Sequence, residues 1–95
     1  MVVTMIKMKY VIVEKYGCEY PIMFSAGLSH DSFSQLHPVS AGFVSFSEQD
    51  NHIVVYCQGE SQSLNLKSRT EEDSRLVVRE MNRSAGFGSN PFKCE

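Results

Sequence analysis

Apolar and polar residues alternate along most of this chain, and the alternation predicts strands. Lys9 to Lys15 reads as the first, because Tyr10, Val11, Ile12 and Val13 are all strong β formers. Tyr10 and Ile12 share one face, Val11 and Val13 the other. Both faces are apolar, which predicts a strand placed centrally or under the helix. Tyr16 to Glu19 reads as a turn, with Gly17 free to take positive φ. A second strand runs from Glu19 to Phe24. Pro21 interrupts it and cannot donate to a ladder, so this strand belongs at an edge or carries a bulge. Val39 to Phe46 forms a third strand, in which Gly42 marks a bulge or a close backbone approach. Glu48 to Asn51 has the composition of a turn, and His52 to Cys57 follows as the fourth strand. Ile53, Val55 and Cys57 face one way, Val54 and Tyr56 the other. Strands three and four are expected to pair with each other. Ser63 to Lys67 alternates again, with Leu64 and Leu66 on one face, and reads as a short fifth strand.

Two segments break this period. In Ser25 to Pro38, Ser29 suits an N-cap and Asp31 a first turn. Phe33 and Leu36, three apart, form one face of a short helix that Pro38 stops. The second segment opens at Thr70. Ser68 with Glu71, or Thr70 with Asp73, matches a capping box, and Glu71, Glu72 and Asp73 suit the positive end of a helix dipole. This helix is expected to run to about Arg83 and to end near Gly86. At about 100° per residue, Ser74, Val77, Val78 and Met81 fall on one side, with Arg75, Arg79 and Arg83 opposite and Leu76 beside the arginines. The elements together predict an α+β domain: a four- or five-stranded antiparallel sheet, a short helical insertion and a C-terminal helix packed on one face. Ile12, Phe43 and Val55 are its expected core. The domain spans residues 8–83. Residues 1–7 read as a dispensable N-terminal extension or an added edge, with Met1, Met5 and Met8 all able to serve as the start, and the Gly- and Ser-rich residues 84–95 as a flexible tail.

Composition narrows the classes. A chain of 95 residues makes one domain. With 42% hydrophobic and 21% charged residues and a net charge of −2, it is neither a disordered chain nor a strongly basic nucleic-acid binder. No apolar run approaches ~18 residues, so no membrane partner is expected. The opening MVVTMIKMKYVIVEK lacks the apolar centre and cleavage site of a secretory signal. Cys18, Cys57 and Cys94 are odd in number and show no C-x₂-C spacing, which argues for a reducing, cytoplasmic setting.

Candidate chemistry is sparse. Cys57 and His52 are an odd number of residues apart on one strand and therefore face opposite ways, so they form no Cys–His pair within it. No two acids share an apolar context that would raise a pKa. His30, Asp31 and His37 are scattered along a polar loop, where zinc needs three or four convergent ligands, and they read as exposed. Gly86-Phe87-Gly88 follows a helix and lacks the trailing Lys of a phosphate loop. These readings predict no enzyme, no metal and no cofactor. Arg75, Arg79 and Arg83, with Lys67 and Arg69 upstream, form the one basic concentration and have the spacing to track phosphates. The plainer alternative is a solvated face, with an ion pair from Glu71 to Arg75 contributing ~0.3–0.5 kcal/mol. Leu28 and Phe33 in the insertion, and Phe87 and Phe92 in the tail, are the candidate partner-binding anchors, unless both segments fold back over the sheet.

The runs Met8-Lys9-Tyr10-Val11-Ile12-Val13, Val39-Ser40-Ala41-Gly42-Phe43-Val44 and Ser63-Leu64-Asn65-Leu66-Lys67-Ser68-Arg69, the last ahead of an acidic helix start, carry a resemblance. As a set they resemble small uncharacterised proteins of tailed phages and prophages, over about residues 8–83. The resemblance brings no catalytic residues. It implies a binding protein in the host cytoplasm, directed at a host or phage protein and in some cases disabling a defence system. The expected function is thus a non-enzymatic protein-binding module. The alternatives are a nucleic-acid accessory protein using the arginine stripe, or a virion or assembly component joined through an edge strand. The oligomeric state is left open, a homodimer included.

Overall fold

Met5–Lys15 forms β1 in a computed structural model that describes residues 5–86, 88 and 90–95. After it come β2 (Cys18–Phe24), a 3₁₀ helix (His30–Leu36), β3 (Ser40–Gln49) and β4 (His52–Gln58). The short β5 (Glu60–Ser61) and β6 (Leu66–Lys67) precede α1 (Thr70–Ala85) and β7 (Phe92–Cys94). The protein is α+β, with a curled five-stranded sheet in the order β2-β1-β3-β4-β7. All neighbours are antiparallel except β4 and β7, which run parallel.

Two tight hairpins set the register. Lys15 pairs with Cys18 across Tyr16 and Gly17, and Gln49 with His52 across Asp50 and Asn51. All four turn residues have positive φ, the two-residue pattern whose twist matches that of the flanking strands. Pro21 lies on β2, an edge strand, where a missing donor does no harm. A Cβ on Gly42 would meet the Gln58 carbonyl oxygen at 2.6 Å, so the close backbone approach expected at this glycine is present.

Alternation in β1 divides the molecule into two packed faces. On the first face, Tyr10 and Ile12 join Val44, Val55, Cys57 and Val77 beneath α1. On the second, Val11 and Val13 join Phe24 and Ala41, covered by Phe33, Leu64 and Leu66. Ile12 and Val55 are fully buried as expected, but Phe43 is only half-buried. It lies on the second face, edge-on to His30, with the Lys7 ammonium 5.4 Å from its ring centroid.

Several boundaries differ from the sequence reading. β1 starts before Met8, and Met5, Ile6 and Lys7 pair with Ser47, Phe46 and Ser45. The expected strand from Ser63 to Lys67 is mostly turn, because Asn65 takes a positive φ that breaks its alternation. Only Leu66 and Lys67 pair, with Ser61 and Glu60, outside the main sheet. The fifth strand of that sheet comes instead from the tail, where Phe92, Lys93 and Cys94 pair with Ile53, Val54 and Val55. The side-chain amide of Asn82 brackets this strand: its Oδ1 accepts from the Phe92 N–H at 3.0 Å, and its Nδ2 donates to the Phe92 carbonyl at 3.1 Å. At the start of α1 neither Ser68 nor Thr70 caps. Arg69 is the N-cap, and its N–H donates to the Asp73 carboxylate at 3.0 Å. Leu76, beside the arginines, also packs against the first-face core.

Candidate functional site

The first face is longer than the helix that covers it. Alternation carries Ile6 and Met8 onto this face beyond Tyr10, opposite Phe46 and Val44 of β3. Ile53 of β4 lies opposite Glu48. Met81, near the end of α1, and Phe92 of β7 stand over these residues, with Met23 of β2 on the other side. Between them runs an open groove of about 510 Å³, lined by apolar side chains and one acid, Glu48. Phe92 meets Phe46 edge-to-face at 6.3 Å, so the tail strand supplies an aromatic wall. Methionine side chains at 8, 23 and 81 supply unbranched surface that adapts to irregular shapes. Ile6, at the mouth, is 57% exposed. A groove of this size accepts one or two large apolar side chains, each contributing about 1.5–3 kcal/mol when fully buried.

At the other end of α1 the chemistry is polar. Tyr10 Oη lies 2.6 Å from both Ser68 Oγ and Asp73 Oδ2. Having one proton, the phenol donates to the carboxylate and accepts from the serine. Arg69 donates through Nε to Asp73 Oδ1 at 3.1 Å, with Nη2 in ion-pair contact with the same oxygen at 3.0 Å, and donates to Glu19 at 2.8 and 3.3 Å. Asp73 is fully buried, so these bonds satisfy a carboxylate that would otherwise be costly to desolvate. The Arg69 guanidinium holds the Glu19 carboxyl below its usual range, and the hydrogen bonds Arg69 donates to Glu19 raise Arg69 in turn. Burial, reinforced by Asp73, pushes the Tyr10 phenol far up. The network ties β1, β2 and α1 together.

The buried Cys57 thiol is pushed up to about 12 by burial and is not a thiolate nucleophile at neutral pH. Cys18 and Cys94 are exposed. Among the described residues no three metal-binding side chains converge. His30 corrects the sequence reading, since it is buried rather than exposed on a loop. Its Nε2 lies 2.8 Å from the Gly42 carbonyl, which only accepts, so that nitrogen carries the proton.

The candidate anchors do not gather in one place. Leu28, half-exposed, follows β2, and Phe33 stacks on Phe24 at 4.4 Å over the second face. Phe92 belongs to the groove on the opposite face. Phe87 lies outside the described residues. Arg75, Arg79 and Arg83 are all exposed, but two are engaged: Arg79 donates to the Glu19 carbonyl at 3.1 Å, and Arg83 pairs with Glu80 at 3.3 Å. The expected ion pair from Glu71 to Arg75 is not among those formed by the described residues. Arg69 is held by acids and adds no free charge to the stripe. Sequence reasoning missed Ile6, Met8 and Met23 as groove residues. The available signal was the period of β1, which places Ile6 and Met8 on the same face as Tyr10 and Ile12.

Comparison with known protein families, curated proteins and solved structures returns no match. No helix among the described residues is long and apolar enough to cross a membrane.

Proposed function

We infer that the protein is a non-enzymatic protein-binding module whose docking site is the methionine-lined groove. The observation that carries this reading is an open apolar groove with Ile6 more than half exposed at its mouth. Contiguous apolar surface of this kind is costly in water and marks interaction sites. The resemblance to small phage proteins makes a host protein the first partner to test.

The test is capture of a partner from host lysate by the native chain, by Ile6→Asp and by Met81→Glu, with thermal melts run alongside. Both variants are expected to keep the fold and to lose the same captured protein. Capture that survives both substitutions would overturn the reading. The runner-up, nucleic-acid binding through Arg75, Arg79 and Arg83, is supported by their exposure on one helix side. It predicts a mobility shift that weakens steeply with salt and disappears when all three are changed to Ala.

A further inference from the structure

Beside the groove, β1 carries an unpaired edge. The β1–β2 ladder ends at Lys9 opposite Phe24, whereas the β1–β3 ladder continues to Met5 opposite Ser47. The Ile12 carbonyl accepts from Val39 on the β3 side at 2.8 Å. By strand alternation Tyr10, Met8 and Ile6 also turn their backbone groups toward β3, and Lys9, Lys7 and Met5 turn theirs the other way. Lys9 meets β2 there. Lys7 has no strand opposite it on that side among the described residues. The chain leaving β2 turns away over the second face, where the Lys9 ammonium donates to the Leu28 carbonyl at 2.7 Å.

We propose that the groove and this edge form one site, which takes an extended peptide segment of a partner protein as an added strand alongside Met5–Met8. This deepens the protein-binding reading and rests on it. Backbone bonds would run to the Lys7 N–H and carbonyl. Partner residues opposite Ile6 and Met8 share their face and point toward the groove, so they are apolar. The residue between them lies opposite Lys7, on the second face, beside an exposed ammonium. Charge complementarity makes that residue acidic. A second copy of this chain fits poorly. Antiparallel self-pairing centred on Lys7 sets lysine against lysine, and centring on Ile6 sets Lys7 against Met5. The partner segment therefore alternates apolar and acidic residues.

The probe is a short synthetic peptide alternating Leu and Glu, titrated against the full chain and followed by NMR and amide hydrogen exchange. Controls are the same composition at helical spacing and a Leu-Lys alternating peptide. The Leu-Glu peptide is expected to bind best and to slow exchange of the Lys7 amide by about tenfold. Lys7→Glu should weaken it by about threefold to tenfold and favour the Leu-Lys peptide instead. Lys7→Pro should abolish binding, since it removes the edge donor while leaving the groove intact. If that variant does not fold, Ile6→Asp supplies the same test from the groove side. Equal binding of the helical-spacing control, or no protection at Lys7, overturns strand addition. A dimer that dissociates in Lys7→Pro overturns it in favour of a second copy. Failure of strand addition while lysate capture still depends on Ile6 and Met81 leaves the broader reading standing. Failure of both removes it.

Discussion

Among the described residues, Ser40 is the one whose buried side-chain polar atom works against the fold. Its Oγ is fully buried and has no hydrogen-bond partner among the described residues. Leaving a hydroxyl unsatisfied costs about 1–3 kcal/mol, so Ser40→Ala is expected to be neutral or to raise stability by about 1 kcal/mol. Urea denaturation checks this, and a clear loss would mean the hydroxyl is paired. Glu19 gives the opposite case. Its carboxyl is held below the ordinary value of 4.5 by Arg69, so it binds fewer protons folded than unfolded. Its contribution is therefore complete above about 4.5 and is lost as pH falls through the lowered folded value. Glu19→Gln should flatten the acid side of a stability-against-pH curve and leave its alkaline side unchanged. An unaltered acid limb would show that the Arg69 pair does not contribute.

Among the elements, β1 shows how far local pattern reaches. Its two apolar faces, the two hairpins and the edge position of β2 were legible, because side-chain period, turn chemistry and a proline each act within a few residues. The start of β1 was legible too, yet Met8 drew the boundary inward. A chain beginning at Met8 loses three ladder positions, Met5 to Lys7, along with Ile6 from the groove. At roughly 0.2–1 kcal/mol per cross-strand pair, it should be less stable by about 1–2 kcal/mol while remaining folded. Equal denaturation midpoints for the two chains would return these residues to the status of an extension. β7 was not legible. Three residues with no alternation of their own become a strand because Asn82 and β4 receive them, and composition reports only the Gly- and Ser-rich stretch that precedes them.

Across the whole molecule, what escaped the sequence is what lies far apart in it. Glu19 and Arg69 are 50 residues apart, and Tyr10 and Asp73 are 63 apart. Each reads alone as an ordinary surface acid, surface base, strand aromatic or first-turn acid, and only the sheet brings them together. The same holds for the groove, whose walls come from β1, β2, β3, β4, α1 and β7. A pattern along one strand can place Ile6 on a face, but it cannot tell that the covering helix ends short of it.

The helix is fastened at its two ends by different chemistry. Its start is held by a carboxylate cluster around a guanidinium, its far end by the uncharged amide of Asn82. Only the first fastening includes Glu19, whose carboxyl Arg69 holds below its ordinary value and which takes up a proton as pH falls through that lowered value. Acidification is thus expected to release α1 from its beginning, while Asn82→Ala at neutral pH frees it from its end. Hydrogen exchange distinguishes the two orders of release: amides near Asp73 should lose protection first in acid, and those near Phe92 first in the variant. Loss of protection at both ends together in either condition would show the helix detaching as a single rigid piece. If the two orders hold, the protein sheds its polar clasp at low pH while Asn82 still holds Phe92 against the groove.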